Sequence, residues 1–165
     1  MRTPSHCTRP PRRHFTALAL GALAWLAAPA WADKLAAPQL KAYSQECAAC
    51  HLAYPPGLLP AASWQRLMAH LPTHFGTDAS LAPAEQKPIA AWLDANAGSF
   101  KKVARDPSPP PQHRISQSAW FLREHREVGS AVWKRPAVGS AANCAACHSG
   151  AATGRFSEHD IHIPQ

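Results

Sequence analysis

After residue 32 the chain has no apolar run long enough to cross a bilayer, which excludes an internal membrane span. It also lacks any convincing run of alternating polar and apolar residues, so nothing points to a sheet. Methionine is scarce, with two in 165 residues, Met1 and Met68. Acidic residues are few as well, 10 against 17 Lys+Arg. Part of that basic excess belongs to the first 32 residues, which hold Arg2, Arg9, Arg12 and Arg13. Without them 13 basic residues face 10 acidic ones, a net charge of +3 that gives no reason to expect a nucleic-acid partner.

Residues 1–32 read as an export signal. The four arginines form a basic start, Phe15 to Ala28 an apolar middle, and Ala30-Trp31-Ala32 a small-residue cleavage site, so the mature chain is expected to begin at Asp33 in the periplasm. The apolar stretch is shorter than the ~20 residues of a membrane anchor. Cys7 leaves with the signal, and no cysteine follows the cleavage point to carry a lipid.

The four remaining cysteines fall in two copies of one pentapeptide, Cys47-Ala48-Ala49-Cys50-His51 and Cys144-Ala145-Ala146-Cys147-His148. C-x-x-C-H is the attachment pattern of a c-type haem. On a helical segment the two cysteines and the histidine share one face, so two thiols can bond to the porphyrin vinyl groups while the imidazole meets the iron. A four-cysteine zinc site usually separates its pairs by about 15–20 residues, far less than the gap from Cys50 to Cys144. A thioredoxin-like motif needs a βαβ setting, and two disulfides leave both histidines unexplained. The expectation is two covalently bound haem c groups, with His51 and His148 as proximal ligands.

The far side of each iron decides between electron carrier and substrate chemistry. Met68 is the single methionine after the signal, so at most one haem can have a thioether ligand. Six histidines remain: His70, His74, His113, His125, His159 and His162. His125 shares a helical face with Phe121 and Val128 and is the candidate for the second haem. For the first, His74 is preferred to His70, because it follows the break at Pro72 and can turn inward. Met68 reads as part of a packing stripe, His113 as solvated, and His159 and His162 as surface residues of the tail.

The coarse organisation is a first haem half (33–98), a proline-rich linker (99–115) and a second haem half (116–165). Helices are expected from Leu35 to Ala49, then through Trp64, Leu67, Met68 and Leu71 with Ser63 as cap. A third runs from Pro83 through Ile89, Trp92 and Leu93 to Asn96–Gly98, and a fourth opens at Ser116 or Ser118 and ends at Gly129-Ser130. Tyr54 to Pro60 must be irregular, Lys101 to Gln112 a polyproline-like linker, and Trp133 to Val138 extended. Ser140 or Asn143 caps the second haem motif, and Gly150 to Gln165 reads as loop. The fold class is all-α: short helices and loops packed around two haems.

The strings C-A-A-C-H-L-A-Y-P-P-G-L-L-P-A-A-S-W, H-F-G-T-D-A-S-L, R-I-S-Q-S-A-W-F-L-R-E-H-R-E-V and N-C-A-A-C-H resemble the small periplasmic dihaem cytochromes c, the DHC family. The resemblance implies bis-histidine ligation, with His74 and His125 at the family's matching positions. It also implies electron transfer to a small oxygen-binding monohaem cytochrome, the sphaeroides haem protein, often beside a membrane cytochrome b. Low potentials are expected, since thioether ligation would raise them. The same ligands would serve a dihaem subunit of a larger periplasmic oxidoreductase. A dihaem peroxidase would need an exchangeable iron position, which the supply of histidines argues against, so no catalytic residue is expected.

Overall fold

Proline and glycine interrupt this chain so often that, among the described residues, the longest helix has 14 residues. The computed structural model describes residue 35 and residues 40–165; the expected signal and the start at Asp33 lie outside them. The helices are α1 (Lys41–Cys47), α2 (Ala61–Met68), α3 (Pro83–Asn96), α4 (Lys101–Arg105), α5 (Ala119–Glu124) and α6 (Ser130–Trp133), with one 3₁₀ turn after each of α1 and α2, two between α4 and α5, and three after α6. The described residues contain no strand, only the isolated bridges His74–Thr77 and His148–Ile161. The fold is all-α, as expected.

The first core forms where α2 packs on α3. Trp64, Met68 and Leu71 meet Ile89 and Leu93, with Tyr43 of α1 and Leu59 closing the cluster. Pro83 stands in the first turn of α3, and Pro88 falls early enough to be accommodated. Gly98, at φ 65, ends the helix and gives its N–H to Leu59 O at 2.8 Å. Leu93 is 1% exposed. Leu93→Ala is expected to cost about 2–5 kcal/mol, read by denaturant unfolding of the holoprotein; a change below about 1 kcal/mol would show that the core closes over the lost methyls.

Several expected boundaries move. Helix α1 starts at Lys41, with Leu40 extended before it; Leu35 instead bonds from its N–H to Gly154 O at 3.2 Å. Helix α2 starts before Ser63, because Pro60 takes the N-cap and its carbonyl accepts from Ser63 N at 2.9 Å. Ser63 is thereby buried inside the helix and meets His113 Nδ1 at 3.1 Å, so His113 is half-buried rather than solvated.

The proline-rich segment begins with α4, since its prolines start only at Pro107 and leave residues 101–105 free to coil. Val103 there joins Phe100, Leu58 and Leu35 in a second small core, against which Trp120 and Phe156 pack. Gly57 permits this contact, because a Cβ there would stand 2.5 Å from Ser99 Oγ and 3.0 Å from Phe100 N.

Ser118 caps α5, its Oγ accepting from Phe121 N at 3.3 Å. Ser118→Ala is expected to cost about 1 kcal/mol by the same unfolding measurement; no loss would mean the cap adds nothing in context. Helix α5 stops at Glu124 with His125 as its C-cap, short of the expected end at Gly129-Ser130, and the chain coils again into α6 after Gly129. Residues 133–138 are turned rather than extended, with Val138 N and Gly139 N both donating to Arg135 O at 2.9 and 2.8 Å. Asn143 precedes the second motif without a side-chain cap; its Nδ2 donates to Val138 O at 3.0 Å.

Candidate haem-binding sites

Helix α1 ends on Cys47, and the turn after it carries Cys50 and His51 into the open. His51 is steered by its own backbone, since Nδ1 lies 2.7 Å from Leu52 O. With that N–H used, Nε2 keeps a lone pair for a metal. His74 reaches the same place from the end of the 3₁₀ turn Leu71–Thr73. After Pro72, His74-Phe75-Gly76-Thr77 folds back with Thr77 N donating to His74 O at 3.0 Å, and Phe75 and Gly76 take φ 50 and 96. Positive φ at both central residues is the pattern of a type I′ turn. Arg114 lies over the Phe75 ring, 4.0 Å from its centroid, and anchors this strained turn. The outcome is that the His51 and His74 rings stand 6.0 Å apart, 25° from parallel.

The second site repeats the arrangement with different parts. His148 follows the 3₁₀ turn Cys144–Ala146, and its N–H bonds to Cys144 O at 2.9 Å. The tail folds back over it: His162 N donates to Cys147 O at 2.9 Å, Phe156 sits edge-on to His148 at 5.3 Å, and Arg135 holds Pro164 O at 2.7 Å. His125 stands at the C-cap of α5, with Nδ1 2.9 Å from Phe121 O and its ring stacked on Phe121 at 3.9 Å. Trp133 flanks it at 5.9 Å. The His125 and His148 rings are 6.2 Å apart, at 82° to each other.

These spacings suit one iron each. A metal bonded to a ring nitrogen on either side at about 2 Å holds the two centroids roughly 6 Å apart. Each pair has one imidazole oriented by a backbone carbonyl, His51 or His125, and one whose buried Nδ1 has no hydrogen-bond partner, His74 or His148. Burial, reinforced by the facing histidine, lowers the pKa of His74 and His148; Arg114 adds to the effect on His74. Both are thus favoured as neutral imidazoles, the form that binds a metal.

The four motif cysteines form no disulfide, which leaves each pair available to one haem. Among the described residues no three His, Cys, Asp or Glu converge on a metal position, so a four-cysteine zinc site is not formed. A haem iron asks the protein for only two axial ligands, which each pair can provide.

The other candidates are placed elsewhere. Met68 is buried in the first core, and His70, just past the end of α2, is exposed with Nδ1 2.9 Å from Arg66 O. His159 and His162 are exposed in the tail. Phe75, Arg114 and Phe156 are parts of the sites that the sequence does not show, because their contacts cross turns that no periodicity connects. Tyr54, at the head of the irregular segment that runs to Pro60, stacks its ring on His51 at 5.0 Å.

The chain matches the dihaem cytochrome c family (DHC) over residues 43–156. It is 42% identical to two solved structures of diheme cytochrome c from Rhodobacter sphaeroides, over 73% of this chain and 99% of theirs, with TM-scores of 0.66 and 0.59. A diheme cytochrome type c from Shewanella baltica OS155 is 37% identical over 77% of this chain and 94% of its own, with a TM-score of 0.66. No curated protein sequence matches significantly.

Proposed function

Since the chain belongs to the dihaem cytochrome c family, with its two covalently bound haem c groups and electron-transfer role, we propose that it is an exported low-potential electron carrier with bis-histidine haems. Cys47 and Cys50 tether the first haem and Cys144 and Cys147 the second. His51 and His74 ligate one iron, His148 and His125 the other. The observation that supports this reading best is the facing of each motif histidine by a second histidine at 6.0 and 6.2 Å. Bound haem supplies one-electron chemistry, its iron alternating between ferric and ferrous.

The protein's own contribution is to keep both axial positions filled and their surroundings apolar. Leu52 O and Phe121 O orient His51 and His125 through their Nδ1 atoms, which strengthens both as donors. Strong imidazole donors on both faces leave no position for substrate and favour low potentials. Phe121, Trp133 and Phe156 shield the second pair. Among the described residues no helix is long and apolar enough to cross a membrane, which agrees with a carrier that moves between partners after signal cleavage.

The acceptor we propose is a small oxygen-binding monohaem cytochrome, with a membrane cytochrome b as a second partner. Stopped-flow mixing of the dithionite-reduced protein with that ferric cytochrome should show its rapid reduction without a lasting complex. Stable stoichiometric co-elution with a larger oxidoreductase would instead make the chain a subunit.

The ligand planes give a second test. The first pair is 25° from parallel and the second close to perpendicular at 82°. Axial imidazole planes set the splitting of the iron d orbitals, so the oxidised holoprotein should give two resolved low-spin ferric EPR signals. One signal accounting for both haems would contradict the two geometries.

A further inference from the structure

We propose that Tyr54 is a positioning residue that ties the two haem-binding segments together: its ring sets the plane of the His51 imidazole, and its hydroxyl fastens that ring to the backbone leading into Cys144. The inference rests on the reading of His51 as an iron ligand.

Three restraints act on this one residue. Its carbonyl accepts from Tyr43 Oη at 2.8 Å, and Tyr43 is itself buried in the first core. Its ring lies 5.0 Å from the His51 ring at 24°, a stacked geometry. Its hydroxyl donates to Ala142 O at 2.7 Å, a contact between residues 88 positions apart. The Ala142 carbonyl is a hub, because it also accepts from Cys144 N at 3.0 Å. The phenol therefore shares an acceptor with the first haem-attachment cysteine of the second motif.

Packing alone would need only a phenyl ring here. The hydroxyl is what reaches across to the second motif, and the Tyr54 ring is fixed from its backbone end before it does so. The two haem segments otherwise come from opposite ends of the chain, and a carrier that passes electrons between its own haems needs them in one fixed relation. Tyr54 provides that constraint from residues rather than from the haems themselves.

The test uses the diheme holoprotein and two variants. Tyr54→Phe keeps the stacked ring but removes the hydroxyl. Its ferric EPR signals should stay where they are in the wild type, while amide exchange over residues 140–146 becomes about threefold to tenfold faster, the range for one neutral hydrogen bond. Tyr54→Leu removes the stacked ring, and should shift or broaden the EPR signal of the first haem while leaving that of the second. Unchanged amide exchange in Tyr54→Phe would overturn the proposal, as would an unmoved first-haem signal in Tyr54→Leu. CO binding by the reduced wild type would instead overturn the bis-histidine reading, and is independent of either variant.

Discussion

Replacing His125 with Ala is expected to leave the second iron with one protein ligand, so that the reduced variant binds about one CO per chain and its ferric form turns partly high-spin. The effect is confined to one haem because the two histidine pairs share no residue. His125 is held by Phe121 O, by the Phe121 ring and by the C-terminal turn of α5, so the substitution removes a ligand without touching the cysteines. The first haem, with His51 and His74, should keep its low-spin spectrum. A His125→Ala protein that stayed wholly low-spin and bound no CO would remove His125 as a ligand, leaving the exposed tail histidines His159 and His162 to be examined in its place.

Changing Cys144 and Cys147 together to Ser should halve the covalent haem content and also loosen the second half of the fold. The reason lies in where the protein's own core is. The first half packs Tyr43, Trp64, Met68, Ile89 and Leu93 into one cluster. From residue 119 onward the described buried apolar side chains are only Phe121, Val138 and Ala151, and none of them belongs to either core cluster. That half must obtain most of its apolar contact from the haem, so its loss should expose residues 119–165 to protease. The matching pair Cys47→Ser and Cys50→Ser should also lose one haem but keep α2 packed on α3. Equal protease sensitivity in both double variants would show that the halves do not differ in this way.

The parts legible in the sequence are those set by covalent chemistry or by local periodicity. C-A-A-C-H can be read because two thioethers and an axial imidazole require that spacing. The stack of His125 on Phe121 follows from helical neighbours four residues apart, and the Ser118 cap from its place before an apolar run. The inward turn of His74 was suggested by Pro72, but its means, positive φ at Phe75 and Gly76 with Arg114 on the Phe75 ring, was not. What stayed hidden depends on residues remote in sequence: Ser63 with His113, Tyr54 with Ala142, and the tail amide of His162 with Cys147 O. The linker misled for a local reason, since prolines after residue 106 made residues 101–105 look irregular although none of them lies within that stretch.

The Lys102–Glu124 pair, 2.7 Å long, ties α4 to α5. The Lys102 hydrogen bond is the main cause that lowers the Glu124 pKa. Since a carboxylate with a depressed folded pKa stabilises above its unfolded value, this tie is present at neutral pH and is lost as pH falls through the folded pKa. Both side chains are partly open to solvent, so its effect on stability is small.

The most direct measurement is the visible spectrum of the dithionite-reduced diheme protein before and after addition of CO. If each iron is closed by two histidines, His51 with His74 and His148 with His125, the spectrum is unchanged by CO. A shift at either haem would show an open or exchangeable axial position, and would contradict the account of this protein as a bis-histidine electron carrier.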